Sequence, residues 1–242
     1  MQYSNYLKHP IDIKNEGRNI DIEIHRQYRG KLLIEIMDMM FINKWLFDSF
    51  NALDLGTSAG SFTQVIANYF KSSTTGIDAD KEMIEKAKLS YPHIEFKASR
   101  IEDYETQIKF DFIMCLEVIE HCDDDNAVVK KIFSLLRDGG IALISMPNNL
   151  NPIYSSARIL GILGFVKLRD DIKLHFKYNY RSIEKLFERH GFEIVYRTGF
   201  NIFIHRILAK NKFLCELNWL ISKLPLMRSF TQYYNIIVKK PK

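Results

Sequence analysis

Ala52-Leu53-Asp54-Leu55-Gly56-Thr57-Ser58-Ala59-Gly60-Ser61 is the stretch on which the fold turns. Its first half is a short apolar run carrying one acid, as in a strand that ends at a sheet edge. Gly56 then opens a turn, where the missing Cβ lets the backbone take a left-handed φ and lets a ligand approach closely. Ser61–Tyr69 has helical texture, so the unit reads strand, glycine turn, helix.

The same texture continues downstream. Thr74–Asp78 is a second strand, and Asp80 is placed to cap the helix Lys81–Leu89. His93–Lys97 is a third strand. Phe110–Leu116 is a fourth, almost wholly apolar, as a strand buried on both faces should be. A helix over Asn126–Leu136, stopped by Asp138-Gly139-Gly140, leads to a fifth strand at Ile141–Ser145. Strands alternating with helices predict an α/β fold with a doubly wound, mostly parallel sheet. A helix over Ser182–His190, a strand at Phe192–Arg197, a helix over Ile207–Leu224 and a strand at Tyr234–Lys239 complete the pass.

The glycines favour one class of ligand. A dinucleotide fingerprint needs Gly-x-Gly-x-x-Gly, and Ser58 and Ser61 fail it at two of three positions. The S-adenosylmethionine pattern, acid-x-Gly-x-Gly-x-Gly, fits at Asp54, Gly56 and Gly60 and departs only at Ser58. Asp78 ends the second strand 22 residues after Gly56, where a carboxylate can accept both ribose hydroxyls. The expected cofactor set is Asp54, Gly56, Thr57, Ser58, Gly60, Asp78, Ala79, Ile101 and Leu116. A plain tight turn and a capping acid are the alternatives that need no ligand.

The ALDLGTSAGS turn, the GIDAD strand end, FDFIMCLEVIEH after the fourth strand and LLRDGGIALISMPN at the fifth together resemble the class I S-adenosylmethionine-dependent methyltransferases. The likeness covers roughly residues 50–200, and its nearest subgroup is the ubiquinone-biosynthesis type of O-methyltransferase. It implies a seven-stranded Rossmann-like sheet with an antiparallel last strand, N-terminal helices and a helical lid insertion. It also implies an S-adenosyl-L-methionine cofactor. The expected organisation is an N-terminal helical extension over 1–48 and a methyltransferase domain over 49–242. The lid insertion falls at about 148–177 and a basic C-terminal segment at about 200–242.

Glu117-Val118-Ile119-Glu120-His121 falls where the fourth strand meets its helix, at the ligand-binding edge of such a sheet. Were it helical, Glu117, Glu120 and His121 would share one face. His175 follows 54 residues after His121, in the insertion. Glu117, Glu120, His121 and His175 resemble the ligand set of the metal-dependent members, which implies a divalent cation: Mg, Mn, Fe or Zn. His121 or His175 as a metal-free general base, and a purely structural cluster, are the other two readings.

With 47% hydrophobic residues the chain can bury a core, and with 26% charged it is no disordered polymer. Its net charge of +5 hides a division: residues 1–150 sum to −6 and 151–242 to +11. That excludes a uniformly basic nucleic-acid binder. Cys115, Cys122 and Cys215 contain no Cys-x-x-Cys pair, which argues against a disulfide framework and for a cytoplasmic setting. No signal peptide or membrane-spanning run is expected.

The expected acceptor is a hydroxylated small or lipid-linked molecule, such as a glycan or quinone precursor, and anionic. An RNA 2′-O-methyltransferase and a non-catalytic adenosyl-binding subunit are the alternatives. The basic tail reads as a solvated helix whose apolar face packs on the sheet, and peripheral membrane contact or an anionic substrate are its other readings.

Overall fold

The computed structural model describes residues 20–47, 49–165, 167, 176–202 and 211–242. The polar stretch 1–19, His175 and the first part of the expected tail helix lie outside them.

The described residues open on helix α1 (Ile20–Ile42), a single helix within the expected N-terminal helical extension. Then come β1 (Asn51–Leu55), α2 (Ser61–Phe70), β2 (Ser73–Asp78), α3 (Lys81–Ser90), β3 (Glu95–Ala98) and β4 (Phe110–Leu116). A 3₁₀ turn at Ile119–His121 leads to α4 (Asp125–Leu135) and β5 (Leu136–Pro147). The remainder is α5 (Pro152–Ile162), α6 (Tyr180–Glu188), β6 (Glu193–Phe200), α7 (Lys212–Ser222) and β7 (Tyr233–Lys239). The seven strands form one sheet in the order β3-β2-β1-β4-β5-β7-β6. The β3 to β5 neighbours are parallel, and β7 runs antiparallel to both β5 and β6. The expected seven-stranded, mostly parallel sheet with its antiparallel last strand is the one observed.

The fifth strand starts five residues earlier than its sequence suggests. Phe110 pairs with Leu136, the register shifts, and Phe112 then pairs with Ile141. The glycines absorb this irregularity, with Gly139 at φ 75°, instead of ending a helix.

Side chains of β4 alternate between two cores, as period two requires. Ile113 and Cys115 face α4 and α6, whose Val128, Ile132, Ile183 and Phe187 are fully buried. Phe112 and Met114 face α1 and α2. On α1 the buried residues Leu32, Leu33, Ile36, Met37 and Met40 form one helical stripe. Each contributes about 2 kcal/mol by leaving water. One turn before Leu32 and Leu33, the same stripe carries Arg29, also buried. Helix α1 therefore delivers a guanidinium to the carboxyl edge of the sheet.

Candidate active site

A cavity of about 660 Å³ opens at that edge. Its first wall is the β1–α2 turn. The amides of Gly56 and Thr57 both donate to the Ile77 carbonyl, at 2.9 Å each. Gly56 has φ 76°, and a Cβ there would lie 2.2 Å from Val118 Cγ2. Ser58, at the one position departing from the glycine pattern, takes the left-handed conformation regardless, at φ 48°. Its amide donates to Asp78 Oδ2 at 2.8 Å, and the Asp80 amide donates to Asp78 Oδ1 at 2.9 Å. Asp78 thus anchors the turn to the end of β2 and keeps lone pairs for a ligand. Capping falls to Asp80, which accepts from the Glu82 and Met83 amides as the sequence suggested.

Asp54 is the buried carboxylate behind the turn. Thr63 donates to its Oδ2 at 2.6 Å, and Thr57 and Thr63 share a hydroxyl hydrogen bond. Burial pushes its pKa up to about 7, against the pull of the two hydroxyls. A buried carboxyl poised at neutrality on a cavity wall suits a cationic ligand.

Of the expected cofactor residues, Asp54, Gly56, Thr57, Ser58, Asp78, Ala79, Ile101 and Leu116 line the cavity. Gly60 does not. It starts α2 at φ 80°, where a Cβ would meet the Phe96 ring at 2.8 Å, so its glycine serves helix packing. The residues fit an adenosyl sulfonium: an unencumbered turn, an anchored strand-end acid and a buried carboxylate.

The lining contributed after β4 differs from expectation. No helix runs through Glu117. That residue sits at φ 57°, Val118 is non-helical, and only Ile119–His121 form a 3₁₀ turn. The Glu117 amide instead donates to the Ser145 carbonyl at 2.8 Å, which ties it to β5. The three side chains therefore share no helical face. Glu117 lines the cavity and is ion-paired with Arg29. His121 lines the cavity and is exposed. Glu120 points away, buried, with Oε2 lacking a hydrogen-bond partner among the described residues. Burial raises it to about 7.

Among the described residues no three His, Cys, Asp or Glu side chains stand together as metal ligands. A guanidinium already holds Glu117, so the described part of the set does not fit a divalent cation. The fourth expected ligand, His175, lies outside the described residues.

Sequence reading missed Arg29. Its Nη2 donates to Ser145 Oγ at 3.2 Å, and its guanidinium lies 4.8 Å from the Tyr233 ring centroid and 5.6 Å from that of Phe200. Four elements thus converge on one cation. The only signal was a charge on the apolar stripe of α1. Cys122 also lines the cavity, where burial pushes its thiol up to about 11 and disfavours the thiolate. At the outer rim Arg100 pairs with Asp123 at 3.1 Å, an exposed pair of little energetic weight.

The profile of a family described as Methyltransferase domain matches residues 24–197. A trans-aconitate 2-methyltransferase of Agrobacterium fabrum is 31% identical over 101 residues, which is 41% of this chain and 40% of that protein. A ubiquinone biosynthesis O-methyltransferase of Xanthomonas campestris is 27% identical over 131 residues, 52% of this chain and 54% of the relative. The chain thus spans about half the length of these curated relatives, or less. Among solved structures, an S-adenosylmethionine-dependent methyltransferase from Clostridium acetobutylicum superposes with a TM-score of 0.58 at 18% identity, covering 86% of this chain and 89% of that one. Magnesium protoporphyrin IX methyltransferase from Synechocystis, with bound S-adenosylhomocysteine, gives 0.62 at 14% identity, covering 92% and 88%. At these identities the structural likeness speaks for the fold.

Proposed function

Because the chain belongs to the Methyltransferase domain family, we propose that it is an S-adenosylmethionine-dependent methyltransferase acting on an oxygen of a small or lipid-linked hydroxylated acceptor. The observation that carries this reading is the lining of one cavity: Asp54, Gly56 and Asp78 share it with Glu117 and His121.

The cofactor would supply a methyl group on a cationic sulfur. Asp78 would hold the ribose end, Gly56 would admit it against the backbone, and Asp54 would offset its positive charge. Methyl transfer depends mainly on alignment, so holding both partners in one pocket supplies much of the catalysis. A hydroxyl acceptor must also lose its proton, and His121 is a cavity-lining imidazole able to take it.

The test combines calorimetry with product assay. Chelator-treated protein should bind S-adenosylmethionine and release S-adenosylhomocysteine with a catechol probe such as 3,4-dihydroxybenzoate. His121→Ala should lower kcat about a hundredfold and leave cofactor affinity unchanged. Absence of cofactor binding would overturn the reading. A carboxylate acceptor is the second reading, favoured by Arg29 on the cavity wall and by the trans-aconitate relative. A carboxylate needs no base, so His121→Ala would then leave the rate intact.

Cofactor binding should also depend on pH. In the free protein burial raises the Asp54 pKa to about 7. A cationic ligand favours the ionised form, so its pKa must fall on binding and a proton must leave. Affinity should therefore drop as pH falls below about 7, by up to tenfold per pH unit. Calorimetry in buffers of different ionisation heat should record the released proton. Asp54→Asn should flatten the profile.

A further inference from the structure

Helix α7 carries two apolar faces, and the protein uses only one. Cys215, Trp219 and Ser222 point inward and are buried. Phe213, Leu217, Leu220 and Leu224 form a second stripe that faces solvent, with Phe213 73% and Leu220 61% exposed. Helix α5 has no buried residue at all. Its Ile159 and Ile162, followed by Leu163 and Phe165, are exposed as well.

The two faces leave the same edge of the sheet. The side-chain amide of Asn151, the N-cap of α5, donates to the carbonyls of Ile202 and Phe230, which flank the α7 segment. Asn148 does the same to Ser229 and Thr231. This edge is the carboxyl end of β5, where Ser145 accepts hydrogen bonds from the cavity-lining Arg29 and Glu117.

Charge decides what fits there. Residues 148–167 contain Arg158 and Lys167 and no acid. Residues 211–231 contain Lys212, Lys223 and Arg228, and a single acid, Glu216. Glu216 is engaged by the Tyr28 hydroxyl at 2.9 Å and Lys31 at 3.4 Å. Among the described residues the apolar centre is therefore rimmed by Arg158, Lys167 and Arg228, while Lys223 is held by Glu35 over the Trp219 ring. A second copy of the chain would bring a like-charged rim against it. A nucleic-acid backbone would satisfy the rim but leave the leucines and phenylalanines in water. A bilayer of anionic lipid satisfies both, since hydrocarbon takes the side chains and headgroups take the cations.

We propose that the exposed faces of α5 and α7 dock the protein on an anionic membrane surface. This goes beyond the methyltransferase reading and stands without it. The full chain would be sedimented with vesicles of phosphatidylcholine alone and of phosphatidylcholine mixed with phosphatidylglycerol. Binding is expected to the mixed vesicles only. It should weaken at least tenfold toward roughly 1 M salt, where charges more than about 3 Å apart are screened.

The double variant Phe213→Glu/Leu220→Glu alters only exposed positions and should reduce binding at least tenfold. Its S-adenosylmethionine affinity by calorimetry should match the parent, which separates a lost docking face from a lost fold. No partition onto the mixed vesicles, or partition unaffected by the double variant, would overturn the proposal. So would a concentration-dependent dimer in sedimentation velocity that the variant abolishes, because the patch would then bind a second copy.

Discussion

Gly56→Ala will bind S-adenosylmethionine at least a hundredfold more weakly than the parent, about 2.7 kcal/mol of binding energy. Two costs combine at this position. The residue sits at φ 76°, where an L side chain costs roughly 1–2 kcal/mol. The new Cβ would also stand 2.2 Å from Val118 Cγ2 and 3.0 Å from Cγ1, so either the turn or the β4 end must move. Both line the cavity, and moving either misaligns the proposed cofactor seat.

Gly164→Ala is the control. It has a similar φ of 78° but nothing within 4 Å of its Cβ. That variant should lose about 1 kcal/mol of stability and keep its cofactor affinity. Calorimetric titration of both variants checks the pair. Undiminished binding by Gly56→Ala would remove the cofactor from this turn.

Arg29→Ala will destabilise the protein by about 3 kcal/mol. Arg29 is 8% exposed and holds Glu117, Ser145 Oγ and two aromatic faces at once. Burial lowers its pKa, yet an arginine side chain stays charged. Truncation leaves Glu117 without its partner and a hole beneath α1. Losing one partner of a buried pair costs about 3–5 kcal/mol, and the lower end applies because the Glu117 side chain is 24% exposed. Urea unfolding should show the loss, and Tm should fall by roughly 10 °C. Arg29→Met/Glu117→Gln should recover most of it, because no charge is then stranded. Arg29→Lys should not, since an ammonium lacks the planar face that lies on Tyr233. A loss below about 1 kcal/mol in Arg29→Ala would mean that the apolar stripe alone seats α1.

The wall proposed for the cofactor was legible because it is local. Asp54, Gly56 and Ser58 lie on one turn, and Asp78 is reached by a single parallel crossover whose length the βαβ unit sets. Gly60 lies outside the cavity lining and packs on the Phe96 ring, a neighbour no local pattern contains. The reading erred at Glu117. A helical spacing of Glu, Glu and His predicts one face, but the Glu117 amide bonds to Ser145 on the next strand and turns the backbone left-handed. The early start of β5 has a similar origin, in the pairing of Leu136 with Phe110.

Sequence by itself determined the order of strands and helices, the parallel sheet and the wall built around Asp54, Gly56 and Asp78. These follow from hydrophobic period, glycine geometry and chain connectivity, all of which act over short stretches. Tertiary structure alone decided what else lines the cavity. Arg29 meets Ser145 across 116 residues of chain, and it pairs with Glu117 where a metal ligand was expected. Such a meeting depends on how α1 packs across the sheet, and the burial of Leu33, Met37 and Met40 drives that packing without naming the charge it carries to the edge.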